Sequence, residues 1–185
     1  MRCSTQAAST GGTCKGRTVA GGLEIVEGCR PGAIGRIAEM YSRYYAREWG
    51  FGVYFEAKVA RECAEFFERA AYATDRAWLV LDGERVVGSL IVDGAEGADA
   101  HLRWFVLDDG LRGQGVGADL MARAVGFCDA RGVGCYLTTF AGLEAARALY
   151  ERHGFKLTDE KAAETWGKRV REQLFERGAV AAGAV

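Results

Sequence analysis

The chain has 185 residues, 24 basic and 25 acidic side chains, a formal net charge of −1 and 49% hydrophobic residues. That length can build one domain with a real core. The balanced charge sets up no strong field to draw in nucleic acid or an anionic membrane, and no apolar run approaches the roughly 18 residues that a membrane span needs.

Residues 1–22 hold Ser, Thr, Gly and Ala, three basic residues (Arg2, Lys15, Arg17) and no acid. They lack the apolar centre of a signal peptide, and no amphipathic helix follows as in a transit peptide. They read as a disordered leader, or a misplaced start, ahead of a domain at 23–177 with a frayed end at 178–185. The six cysteines stand at 3, 14, 29, 63, 128 and 135, with no C-x-x-C pair and with His101 and His153 near no cysteine cluster. That spacing argues against a zinc site, and the expectation is reduced thiols in a cytoplasm with no metal.

A first strand is expected at 23–29, a turn at Arg30-Pro31-Gly32, and a helix over 33–49 with Ile34, Ile37, Ala38, Tyr41 and Tyr45 on one side. Gly50-Phe51-Gly52 interrupts it. A second helix over 55–71 carries Phe55, Val59, Cys63, Phe66, Phe67 and Ala70. Strands at 77–81 and 85–93 are joined across Asp82-Gly83, a hairpin signal. A polar loop over 94–100 leads to the strand His101-Leu-Arg-Trp-Phe-Val-Leu107, whose alternation puts Arg103 and Trp104 on opposite faces. Further strands are expected at 135–140, 155–158 and 165–176.

After the 101–107 strand come Arg112-Gly113-Gln114-Gly115-Val116-Gly117 and a helix with Val116, Leu120, Met121, Ala124, Phe127 and Cys128 at apolar spacing. Glycines where a helix begins let main-chain amides curl around a phosphate, with the positive end of the helix dipole behind them. A Walker A loop would end Gly-Lys-Ser/Thr, and this one ends Gly117-Ala118-Asp119. A dinucleotide fingerprint fits Gly113, Gly115 and Ala118, but it calls for a carboxylate about 20 residues on. The strand Cys135-Tyr-Leu-Thr-Thr-Phe140 has none. A third pattern, Arg112-x-x-Gly115-x-Gly117, resembles the acyl-coenzyme A pyrophosphate loop of the GNAT N-acetyltransferase superfamily.

A second segment strengthens that resemblance. Ala145-Ala-Arg-Ala-Leu-Tyr-Glu-Arg-His-Gly-Phe155 is a short amphipathic helix stopped by Gly154. Alone, a tyrosine on its face reads as core. The run A-x-x-L-Y-E-x-x-G-F, some 30 residues after the glycine loop, resembles the second GNAT signature, in which the tyrosine lies beside the coenzyme sulfur. Arg30-Pro-Gly, Tyr45-Ala-Arg-Glu-Trp-Gly50, Phe55-Glu-Ala, Leu102-Arg-Trp, Thr139-Phe-Ala-Gly-Leu-Glu-Ala-Ala146 and Trp166-Gly further resemble GNAT domains fused behind MarR-type regulators.

The resemblance implies an α/β (α+β) GNAT fold: a mixed, mostly antiparallel sheet of about seven strands flanked by four helices. It implies acetyl-CoA as cosubstrate and an amine of a small molecule or peptide as acceptor, with no direct nucleic-acid or membrane partner, in an assembly compatible with a homodimer. Trp104, Phe105 and Val106 would pair with the pantetheine arm by backbone hydrogen bonds, a form of strand addition. Arg112, Gly113, Gln114, Gly115, Val116 and Gly117 would hold the diphosphate. Tyr150 would protonate the leaving thiolate, since a phenol of pKa about 10 lies near a thiol of about 8.5. His101, with an ordinary pKa near neutrality, is the candidate general base, and Glu96 and Glu56 are looser ones. Tyr45 and Trp49, with Tyr44, Phe51 and Tyr54, would line the acceptor pocket, and Arg103 would hold an acceptor carboxylate or a structural ion pair. Leu143 stands where many relatives carry a coenzyme-contacting asparagine. The alternative of another class is a non-catalytic acyl-CoA-binding sensor of the same fold.

Overall fold

Alternating apolar residues in the strand segments build one mixed sheet, seen in a computed structural model that describes residues 17–18, 22–71, 73–94, 98–164 and 166–180. Nearly all of the expected leader, and Glu96, fall outside the described residues. The strands are β1 (Arg17–Thr18), β2 (Glu24–Glu27), β3 (Arg76–Asp82), β4 (Arg85–Asp93), β5 (Ala100–Leu107), β6 (Cys135–Phe140), β7 (Lys156–Ala163) and β8 (Val170–Arg177). Their order is β1-β2-β3-β4-β5-β6-β8-β7, seven substantial strands and a two-residue edge. Every neighbouring pair is antiparallel except β5 and β6. Helices α1 (Ala33–Trp49) and α2 (Val53–Arg69) cover one face, and α3 (Val116–Ala130) and α4 (Glu144–Arg152) the other.

Helix α1 occupies the predicted span because glycines bound it: Gly32 (φ 86) and Gly50 (φ 64) take the left-handed conformation, and the Gly50 amide donates to the Ala46 carbonyl. Helix α2 starts two residues earlier than its apolar pattern, since extended Gly52 already serves as its cap. Strand β7 runs to Ala163, well past the expected 158, as an edge strand whose charged Asp159, Glu160 and Lys161 conceal it from a hydrophobic pattern. Strand β8 begins later than expected, because residues 166–169 form a turn.

The central feature is a bulge in β5. Ser89 pairs with Val106 and Ile91 with Arg103, so the single residue Leu90 faces two, Trp104 and Phe105. Trp104 takes φ 46, the one non-glycine positive φ among the described residues. The extra residue resets the alternation. Ala100 and Leu102 face α3, as do Phe105 and Leu107, while Trp104 and Val106 face α1 and α2. Arg103 therefore does not oppose Trp104: its guanidinium lies 4.2 Å from the Trp104 ring centroid, on the same face.

The sheet opens ahead of the bulge. Strands β5 and β6 pair only at Ala100–Cys135 and His101–Tyr136, while β6 stays paired with β8 as far as Phe140–Glu172. The buried Ser89 hydroxyl donates to the Trp104 carbonyl at 2.7 Å and so satisfies a group the bulge takes out of the ladder. Ser89→Ala would orphan that carbonyl and should cost about 1–3 kcal/mol, read as a lower midpoint in urea denaturation with the slope unchanged.

Candidate active site

The glycine-rich segment crosses the open end of the gap between β5 and β6. Gly113 (φ 76) and Gly115 (φ 81) adopt left-handed conformations that a Cβ would disfavour. Three amides of the segment are used internally: Leu111 donates to Asp108, Arg112 to Asp109 and Gln114 to Leu111. The expected row is thus shortened, because a 3-10 turn over Asp109–Leu111 consumes the Arg112 and Gln114 donors. Among the described residues, the amides of Gly113, Gly115, Val116, Gly117 and Ala118 have no acceptor. No side chain caps α3 either, whose first intrahelical bond runs from the Asp119 amide to the Gly115 carbonyl. These donors sit at the positive end of a 15-residue helix, an arrangement suited to a phosphate or diphosphate.

That loop lines a cleft of about 830 Å³ between β5 and α4, shared with Tyr44, Phe105, Val106, Leu143 and Tyr150. Gly117 lets it close: a Cβ there would lie 3.4 Å from the side chains of both Phe105 and Leu107. Two carbonyls of the expected strand-addition edge are engaged, that of Trp104 by Ser89 and that of Phe105 by the Tyr41 hydroxyl at 3.2 Å. At the mouth, Tyr44 lies between the guanidiniums of Arg47 and Arg112, and Asp109 is ion-paired with both. Leu143, at the start of α4, leaves that helix with no side-chain cap.

On the other side of the gap lies a smaller cavity, about 100 Å³, walled by Tyr41, Tyr45, Phe55, Trp104, Phe140 and Trp166. Tyr41, Tyr45, Phe105 and Tyr150 line both spaces, so the two cavities meet at those rings. Tyr150 is buried against Phe155 and Phe175. Burial raises its phenol above the usual value, and a hydrogen bond with the Thr139 side chain works in the other direction. The proton is held more tightly than a comparison with free phenol supposes.

His101 also lines the smaller cavity, stacked on Tyr136 with centroids 4.4 Å apart. Burial first, then the Arg103 charge, lowers its pKa to about 4, against a smaller opposing effect of Asp93. The ring is neutral at pH 7 but a weaker base than its ordinary pKa implied. Arg103 donates to Glu62 at 2.6 Å and to buried Asp93 at 3.4 Å. Of the aromatic group at the helix break, Tyr45 and Phe51 pack together with Phe55 and Phe140. Trp49 lies over Gly142, Tyr44 joins the larger cleft, and Tyr54 is exposed. Glu56 is exposed as well.

The carboxylate that does reach the smaller cavity is Glu62, which also pairs with Lys58. Sequence reasoning passed over it. The available signal was its place between Val59 and Phe66 on the apolar stripe of α2, where a charge has to find a partner.

A sheet parted between its two parallel strands, with open amides at the mouth of the gap, is the acetyltransferase architecture. A GNAT-family acetyltransferase from Staphylococcus aureus Mu50 superposes with a TM-score of 0.65 at 18% identity, over 85% of this chain and 99% of its own. The ribosomal-protein-S18-alanine N-acetyltransferase of Escherichia coli gives 0.61 at 18% over 86% and 96%. The ribosomal L7/L12 alpha-N-protein acetyltransferase RimL gives 0.65 at 14% over 89% and 94%. No curated protein matches in sequence. The chain itself belongs to the Acetyltransferase (GNAT) family, whose pattern it matches over residues 34–155.

The lowered His101 pKa makes stability pH-dependent in a stated direction. Between about 6.5 and about 4 the unfolded chain binds the proton and the folded one resists it. Stability is therefore highest above 6.5 and falls as the pH drops toward 4. His101→Phe, which keeps a ring on Tyr136, should flatten that slope in denaturant titrations run across the range.

Proposed function

We propose that this chain is an N-acetyltransferase that moves an acetyl group from acetyl-CoA to a primary amine by direct attack. The observation that carries this reading is the open row of amides at Gly113 and 115–118, facing a cleft that meets a second cavity at Tyr150. The residues present fit the coenzyme. The amides of Gly113, Gly115, Val116 and Gly117 would hold the diphosphate, and the unpaired stretch of β5 past His101 would receive the pantetheine arm, chiefly through Phe105 and Val106. Acetyl-CoA supplies the thioester acyl group. The acetyltransferase unit spans 23–177, acting in the cytoplasm as a GNAT domain of the kind found behind MarR-type regulators, with a homodimer compatible with it.

Each residue then has a task. Amides of β5 near Val106 polarise the thioester carbonyl. Tyr150 stands where the two cavities join and delivers its proton to the departing sulfur. Its pKa is raised by burial, and the same desolvation would raise that of a thiol beside it. His101, neutral and facing the acceptor cavity, accepts the amine proton, and the Glu62–Arg103 pair borders the same space. The aromatic walls, Tyr45 among them, exclude water from the thioester.

One observation favours a second reading, a coenzyme-binding sensor without turnover. His101 is a weak base, and the carboxylate of Glu62 is already bonded to Lys58 and Arg103. A screen of amines with free-thiol detection separates the two. The sensor reading holds if acetyl-CoA raises the melting temperature while no amine releases thiol. For the enzyme, Tyr150→Phe should lower kcat about 100-fold or more with the KM for acetyl-CoA nearly unchanged, as removal of a general acid does. An unchanged kcat would remove Tyr150 from the mechanism.

A further inference from the structure

At the bulge, β5 carries two residues, Trp104 and Phe105, that pair with neither β4 nor β6. The peptide groups around them are held all the same. The hydroxyl of fully buried Ser89 donates to the Trp104 carbonyl at 2.7 Å, and the Tyr41 hydroxyl donates to the Phe105 carbonyl at 3.2 Å. Ser89 stands on β4, on the side of β5 away from β6, so its bond draws the Trp104 carbonyl toward β4.

A trans peptide is planar, and its C=O and N–H point in opposite directions. The Trp104 carbonyl shares such a peptide with the Phe105 amide, since all described peptides are trans. With the carbonyl held on the β4 side, the Phe105 N–H is aimed at the other side, into the gap where β6 has parted from β5. The alternation of the ladder agrees. The Asp108 amide donates to the Val87 carbonyl of β4, and three residues back, an odd step, an amide faces the opposite way. Phe105 lines both the coenzyme cleft and the smaller cavity, as Tyr150 does, so its amide lies where the two spaces join.

Resting on the acetyltransferase reading above, we propose that Ser89 is a positioning residue for the thioester: through the Trp104 carbonyl, its hydroxyl aims the Phe105 N–H at the thioester carbonyl oxygen. When the amine attacks, that oxygen takes up the negative charge of the tetrahedral intermediate. A donor already turned toward it stabilises the charge without rearrangement. Serine suits the position because it packs inside the sheet and still has a proton to donate. The left-handed φ of Trp104 is then strain kept at the point where the chemistry uses it.

Acetyl-CoA carrying 13C at its carbonyl, bound to the full chain with no amine present, reports this polarisation in isotope-edited infrared difference spectra. In the native chain the carbonyl stretch should lie below its value in water. In Ser89→Ala it should return toward that value while the Kd for acetyl-CoA stays nearly unchanged, which also verifies the fold. Ser89→Cys, a weak donor, should move the band the same way and stands in if the alanine variant does not fold. A merely structural role would alter the amount of ligand bound, not the frequency of its carbonyl. With an amine that releases thiol, kcat in Ser89→Ala should fall about tenfold at a nearly unchanged KM for acetyl-CoA. A native band no lower than in water, or a band that neither substitution moves, would overturn the proposal. No binding of acetyl-CoA by the native chain would overturn it together with the coenzyme reading. A shifted band with no thiol release from any amine would remove the acetyltransferase reading and leave the role of Ser89 standing.

Discussion

Two ladder pairs join the halves of this sheet. Among the described residues, Ala100–Cys135 and His101–Tyr136 are the only β5–β6 pairs, so past them the two antiparallel ladders part, joined only through the cores on either face. Everything of functional interest lies where the ladders part. A complete parallel ladder would have used the backbone of β5 internally and left no gap to line. The bulge at Trp104 belongs to the same arrangement, because it bends β5 within the stretch that has already left β6. A left-handed tryptophan is strained by about 1–3 kcal/mol. That cost is tolerated because its ring packs on Phe66 and Arg103 and its carbonyl is taken by Ser89.

The strand ahead of the bulge organises the charges. With Ala100 and Leu102 facing α3, alternation turns Arg103 toward α2 and brings its guanidinium to Glu62 and to Asp93, which Arg69 also holds. Three cations, Arg103, Arg69 and Lys58, are thereby gathered around two carboxylates at the closed end of the gap. His101 stands among them and responds to burial and the nearby arginine by giving up its proton more readily. On the opposite side, positive potential comes from the main chain at the start of α3, with Arg112 and Arg152 on the cleft wall. The site divides into a backbone-lined half suited to phosphate and an aromatic half with scattered polar groups. Tyr150 stands at their junction.

Much of this was legible in the residues because it is local. Glycines fix the ends of α1 and the start of α3, and the Cys135–Phe140 strand announces itself by alternation. The fold class and the family followed from two motifs at a characteristic separation. What escaped was what a period-two or period-3.6 pattern cannot carry. His101–Leu107 alternates without a break, so nothing in it reveals the bulge that puts Arg103 and Trp104 on one face. Glu62 looks like an ordinary surface acid on α2 until Arg103 and Lys58 are placed across from it. Amide occupancy within the glycine loop depends on a 3-10 turn that the sequence does not announce, so Arg112 and Gln114 were counted as open donors when they are not.

The clamp at the base of the gap has a mechanical consequence. Arg177 grips Asp129 at the end of α3 through two nitrogens and the His153 carbonyl at the end of α4 through a third. This ties three elements at the level where β5 and β6 still touch. That anchor sets the width of the gap at its base, and the distance between β5 and β6 is free of ladder pairing from there outward.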